Sequence, residues 1–146
     1  MERLGGQLFL AMRSARTRFE QHLSDAGGSL AQWGILKTLA SDRPKPSQRE
    51  LSDLLALGGS TTTHHLDRLE QEGLVARRRD ERDRRVVRVA ITPKGRRHLA
   101  RLERAADAAD EELRGLLPAR EAERLQATLG RLAGRLEELR AEDAAS

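Results

Sequence analysis

Cysteine is absent from the 146 residues. Its absence excludes disulfides, thiolate metal sites and any switch based on thiol oxidation. Long hydrophobic runs are also missing: no stretch approaches the ~20 apolar residues that a membrane-spanning helix needs. The opening Met1-Glu2-Arg3-Leu4-Gly5-Gly6 lacks the apolar segment of a secretion signal. A cytoplasmic protein with no membrane partner is expected. Aromatic residues number only three, Phe9, Phe19 and Trp33. The histidines His22, His64, His65 and His98 fall at no metal-ligand spacing. No nucleophile–base pair or phosphate-binding loop is evident. Neither an enzyme nor a metal- or cofactor-carrying protein is expected.

What the chain does have is charge. Charged residues make up 34% and hydrophobic residues 38%, which forces the apolar side chains into narrow stripes. The 27 lysines and arginines outnumber 23 acidic residues, for a net charge of +4, and the excess is local. Arg77 to Arg97 holds ten basic residues against three acidic ones, Asp80, Glu81 and Asp83, leaving the rest of the chain slightly acidic. A solvated charge run normally mixes the two signs. This asymmetry favours a polyanion, nucleic acid above all.

Hydrophobic spacing divides the chain into helices and one hairpin. Leu4, Leu8, Met12, Ala15, Phe19 and Leu23 recur at helical spacing up to about Asp25, and Gly27-Gly28 ends that helix. Ser29 and Gln32 form a capping box for a short helix through Trp33, Ile35, Leu36 and Leu39. Asp42-Arg43-Pro44-Lys45-Pro46 is a loop, since two prolines prevent regular helix. Ser47 and Glu50 form a second capping box, opening a helix with Leu51, Leu54 and Leu55 on its apolar face. Gly58-Gly59 is expected to stop it in a tight turn. A helix from about Ser60 to Glu72 follows, with Thr62, Leu66 and Leu69 inward and Gly73 at its end. Leu74 to Arg77 and Val86 to Ile91 are rich in β-branched residues and flank the polar run Arg78 to Arg85, which predicts a hairpin with a charged tip. Thr92 and Pro93 start a long helix carrying Leu99, Leu102, Ala106, Ala109, Leu113 and Leu116. After Pro118, Ala122, Leu125, Leu129, Leu132, Leu136 and Leu139 alternate three and four residues apart, a heptad seam. Such a seam packs either within the chain or against a second copy. The second is favoured because both chain ends supply apolar stripes with little else to cover.

The helices from Ser47 and Ser60, joined by Ala56-Leu57-Gly58-Gly59, form a helix-turn-helix. Its second helix is the one that enters the DNA major groove, whose width admits an α-helix and whose base edges carry a readable pattern. Small polar residues at that helix's start, Ser60-Thr61-Thr62-Thr63-His64-His65, permit close approach. Ser60, Thr61, His64 and Arg68 share the face opposite Thr62, Leu66 and Leu69. Thr63 joins Ser60, Thr61, His64 and Arg68 as a candidate DNA contact. The expected class is mainly α with a small β-hairpin wing: a winged helix-turn-helix plus a helical dimerisation region.

Leu51-Ser52 through Ser60-Thr61-Thr62-Thr63, then Asp67-Arg68-Leu69-Glu70-Gln71-Glu72-Gly73-Leu74-Val75, then the wing Asp83-Arg84-Arg85 with Ile91-Thr92 and Pro93-Lys94-Gly95, resemble the MarR family (multiple antibiotic resistance regulators) over nearly the whole chain. The resemblance implies a triangular homodimer with a recognition helix in each major groove and the wing in the minor groove. It makes Arg85 the minor-groove arginine, suited to the negative potential of a narrow groove, and Asp83 the residue that braces the wing. Arg77, Arg78, Arg82 and Arg84 become phosphate contacts, which add affinity without sequence information. His64 stands where the family commonly has arginine, and His65 where it commonly has an aliphatic residue.

The domains expected are an N-terminal dimerisation helix (1–28), a winged helix-turn-helix (29–95) and C-terminal dimerisation helices (96–146), with Leu8, Leu125, Leu129, Leu132 and Leu136 in the dimer interface. By the same resemblance, a small aromatic or lipophilic effector would sit among Phe9, Met12, Arg16, Phe19 and Trp33, with Arg16 pairing any carboxylate. The function expected is a sequence-specific regulator, a repressor of a pseudo-palindromic operator whose half-sites lie roughly ~10 bp apart. A sequence-tolerant architectural protein is the alternative on double-stranded DNA. A protein-binding winged helix is disfavoured by the basic wing.

Overall fold

The computed structural model describes residues 3–41 and 44–145; Asp42 and Arg43, read above as loop, lie outside the described residues. The elements are α1 (Leu4–Asp25), α2 (Leu30–Ala40), α3 (Gln48–Leu54), α4 (Gly59–Gln71), β1 (Val75–Arg79), β2 (Val87–Ile91), α5 (Pro93–Gly115) and α6 (Ala119–Ala145). The strands pair antiparallel, from Val75 opposite Ile91 to Arg79 opposite Val87. Six helices and one hairpin are the expected order. The chain divides into two compact units, Met1–Ala109 and Asp110–Ser146.

The first unit is built around Leu23 of α1, Ile35 and Leu36 of α2, Leu51 of α3, Leu66 and Leu69 of α4, Val89 of β2 and Leu102 of α5, all fully buried. Thr62 is buried with them, as expected from its place beside Leu66 and Leu69. Its hydroxyl donates to the Gly58 carbonyl (3.1 Å) and accepts from Ser52 Oγ (2.8 Å), so a polar pair joins α3 to α4 inside the core without an orphaned group.

The caps explain most boundaries. Ser47 Oγ accepts from the Glu50 N–H (3.0 Å) while the Glu50 carboxylate accepts from the Ser47 N–H (2.7 Å), the full reciprocal box. At Ser29 only half of the predicted box forms. Ser29 Oγ caps the Gln32 N–H (3.2 Å), but the Gln32 side chain is buried and faces His98 Nε2 (3.4 Å). The core contact has outcompeted the local one. Thr92 Oγ1 caps α5 through the Gly95 N–H (3.0 Å), with Pro93 at the first position as expected. A Cβ on Gly95 would fall 2.1 Å from the Leu74 carbonyl oxygen, so only glycine lets α5 start this close to the chain entering β1.

Three local expectations are corrected. The sharp turn after α3 lies at Ala56, with φ of +51°, and not at the glycine pair; Gly58 is the extended N-cap of α4 and Gly59 its first residue. Leu54 is 51% exposed, leaving Leu51 and the half-buried Leu55 as the inward face of the short α3. On α5 the buried line stops at Ala109, and Leu116, beyond the helix end, is 73% exposed.

The second unit is different in kind. No residue of α6 is buried, and its seam, Leu125, Leu129, Leu132, Leu136 and Leu139, stands open in the isolated chain. On α1, Leu4, Leu8, Phe9, Leu10 and Met12 are exposed as well. Among the described residues no helix is long and apolar enough to cross a membrane.

Candidate nucleic-acid interface

The core side of α4 fixes its outer side. With Thr62, Leu66 and Leu69 fully buried, Ser60, Thr61, Thr63, His64 and Arg68 are all exposed, and His65 is half-buried between the two faces. Arg68 lies 3.9 Å from Glu72, one turn along the same surface. The residues picked as candidate contacts therefore occupy one uncovered face.

The wing is organised by a carboxylate that the sequence reading treated only as counter-charge. Asp80 Oδ1 accepts from the N–H groups of Arg82 (2.8 Å) and Asp83 (3.0 Å), and its Oδ2 accepts from Arg88 Nε (3.0 Å). The backbone bond from Asp83, aided by the Arg88 guanidinium, holds the Asp80 carboxyl at about 2, below its usual 3.8. Arg79 donates to the Arg84 carbonyl (2.8 Å) across the same tip. A short Asx turn at the end of β1 was the available signal: Asp80 is the first acid after three arginines.

Asp83 has a narrower task. Its carboxylate accepts from Arg85 Nε (3.1 Å), Arg85 Nη2 (3.3 Å) and the Arg85 N–H (3.1 Å). The Arg85 guanidinium, first among these donors, keeps the Asp83 carboxyl below its usual range. The Arg85 side chain remains 92% exposed, held in one direction yet uncovered. Arg78, Arg82 and Arg84 are exposed around it.

Arg77 points elsewhere. Its Nε donates to Glu70 (2.9 Å) and its Nη2 to Asp67, both on α4, and its side chain is only 20% exposed. The bond to Glu70 chiefly raises its pKa further. This clamp ties β1 to α4, using two of the five guanidinium N–H groups of a side chain that is mostly covered. Arg88 forms a matching tie on the other strand, reaching Asp80, Glu50 (3.4 Å) and the Lys45 carbonyl (3.4 Å). Ser47 bridges to Arg88 as an isolated β-bridge, and the Val89 N–H donates to the Pro46 carbonyl (3.0 Å). The hairpin is thus fastened to both helices of the helix-turn-helix.

Between them lies an open groove of about 850 Å³, with Gln48 and Arg49 of α3, Gly59 and Thr63 of α4, and Arg85 and Val87 of the wing on its walls. Gln48 and Arg49 escaped the sequence reading, which looked for contacts only on the second helix and the wing. No periodicity or charge cluster marks them; only the fold brings them to the groove.

Residues 29–87, the helix-turn-helix with most of its wing, match the MarR family. The chain carries a MarR-family domain over these residues. Solved structures agree over almost its whole length. The transcriptional repressor CouR, bound to a 23-mer DNA duplex, is 28% identical, covering 90% of this chain and 92% of its own with a TM-score of 0.80. Wild-type MarR from E. coli is 23% identical, covering 90% and 98% with a TM-score of 0.80. MepR from S. aureus, in complex with DNA, is 20% identical, covering 92% and 99% with a TM-score of 0.76; these last two show the shared fold. MarR-family members are transcriptional regulators and not enzymes, and the domain at residues 29–87 is that of a DNA-binding transcriptional regulator.

The residues expected to surround an effector differ in their exposure. Phe19 and Trp33 meet at 5.3 Å between ring centroids and pack on the core, with Lys37 Nζ 4.7 Å from the Trp33 ring. Phe9 and Met12 are each 57% exposed, and Arg16 is ion-paired to Glu20 (2.9 Å). The structure brings Phe19 and Trp33 together and leaves Phe9 and Met12 open to solvent.

Proposed function

We propose that this regulator is a repressor that binds a pseudo-palindromic operator as a homodimer. The observation that carries the reading is the pairing of two uncovered surfaces across one groove: the Ser60, Thr61, Thr63, His64 and Arg68 face of α4, and Arg85 held outward by Asp83 on a wing fastened to α4. A helix face of small polar residues suits the major groove, and an extended arginine suits the adjacent minor groove. Arg78, Arg82 and Arg84 supply phosphate contacts, while Arg77 serves as the strut between wing and helix. The DNA bound to CouR supports this arrangement by analogy.

Dimerisation follows from the open leucine seam of α6, with Leu125, Leu129, Leu132 and Leu136 against a second copy and Leu8 of α1 contributing. Five exposed leucines in register on one helix suit a coiled-coil type of contact. Release from DNA by a small aromatic or lipophilic effector is the finer part of the proposal. Its site is the Phe19–Trp33 contact with Phe9 and Met12, where Arg16 would exchange Glu20 for an effector carboxylate. Heat stabilisation by a panel of aromatic acids tests that part; none stabilising the chain would remove it.

The DNA reading is tested by selecting bound duplexes from a random library and measuring their affinity at two salt concentrations. The expected result is an inverted repeat bound at least about a thousandfold tighter than random duplex, with affinity falling steeply as salt rises. Salt-sensitive binding without any recovered motif would replace it with the architectural reading.

A further inference from the structure

Gln48, the first residue of α3, sits on the wall of the groove, and its amide is not free to rotate. Gln48 Nε2 donates to Thr63 Oγ1 of the recognition helix (2.8 Å). Thr63 Oγ1 in turn donates to the Gly59 carbonyl one turn back (2.9 Å). A hydroxyl has a single hydrogen. With that hydrogen on Gly59, Thr63 can only accept from Gln48, so the Gln48 amide must present its nitrogen to Thr63. The chain of bonds from Gly59 through Thr63 to Gln48 therefore fixes the amide and leaves one Nε2 hydrogen unused.

This arrangement has two consequences for DNA. The Thr63 hydroxyl is already engaged as donor and acceptor, which weakens it as a direct reader of base edges. The remaining Gln48 N–H belongs to the helix that crosses the DNA backbone in a helix-turn-helix, while the hydroxyl holding it belongs to the helix that enters the groove. We propose that Gln48 and Thr63 act as one unit, a neutral phosphate clamp. Gln48 donates its free N–H to a backbone phosphate and, through Thr63, sets how α4 is seated in the major groove. The clamp rests on the reading of α4 as the recognition helix. It differs from the wing arginines in carrying no charge, so it gives register without displacing counterions.

The test uses the full chain with the library-selected duplex and a scrambled duplex of the same length. Gln48→Ala is expected to weaken both by a similar factor, about ten- to a hundredfold, with the slope of affinity against salt unchanged. Gln48→Glu, of the same shape but anionic, is expected to lose more. Thr63→Val is expected to weaken binding as Gln48→Ala does, and the double variant to lose no more than either alone, as members of one unit do. Unchanged thermal midpoints confirm that each variant folds. Unchanged affinity, loss of preference at a single base pair without general weakening, or additive losses would each overturn the clamp. If the wild-type chain binds no duplex, the DNA reading itself falls and the clamp with it.

Discussion

Two neighbouring aspartates in the wing act on different targets, and acid separates them from the arginines they hold. Asp80 accepts from the Arg82 and Asp83 backbone and from Arg88, so it shapes the turn; Asp83 aims Arg85. Both carboxyl pKa values are depressed in the folded chain, that of Asp80 to about 2 from 3.8. A depressed carboxyl stabilises the fold above its unfolded pKa and loses that contribution as pH falls through the folded value. The order of the wing tip is therefore expected to persist at neutral pH and to fade between pH 3.8 and about 2. Amide-exchange protection at Arg82 and Asp83 followed by NMR checks this, and Asp80→Asn should show the same loss at neutral pH. Arg85→Ala is expected to weaken operator binding by about ten- to a hundredfold, measured by fluorescence anisotropy, with oligomeric state unchanged. Its side chain bonds to Asp83 within the wing tip.

At the scale of the elements, two backbone positions give opposite predictions. Gly95→Ala places a Cβ against the Leu74 carbonyl oxygen and is expected to cost about 1–3 kcal/mol or more in denaturant unfolding. Ala56→Gly relieves a left-handed residue and is expected to stabilise by about 1 kcal/mol in the same experiment. The pair also shows what sequence alone could reach. Helix starts at Ser47 and Thr92 were legible because a cap is a local event between residues three apart. The turn at Ala56 was not, because alanine carries no mark of positive φ and two glycines nearby looked like the natural place for it. The inward face of α4 was legible from the spacing of Thr62, Leu66 and Leu69. The commitment of Arg77 to Asp67 and Glu70, and the arrival of Gln48 beside Thr63, depend on how distant segments meet. In the sequence Arg77 is one of three identical arginines.

For the whole molecule, the unburied α6 is the feature that most needs a partner. Its leucines keep a three-and-four spacing yet stay 36–54% exposed in the isolated chain. Leu132→Asp places a charge in the middle of that seam and is expected to shift the chain from dimer to monomer in sedimentation velocity, with DNA affinity falling alongside. A variant that remains dimeric and binds like wild type would exclude α6 as the interface. Two recognition helices held at a fixed spacing should read two half-sites one helical turn apart, and this joins the seam to the DNA surface in a single expectation. The most direct measurement is the affinity of the wild-type chain for its selected duplex compared with the same duplex carrying an insertion of about five base pairs, half a turn, between the half-sites. The account predicts that the insertion lowers affinity to that of a single half-site; equal affinity for the two duplexes would contradict it.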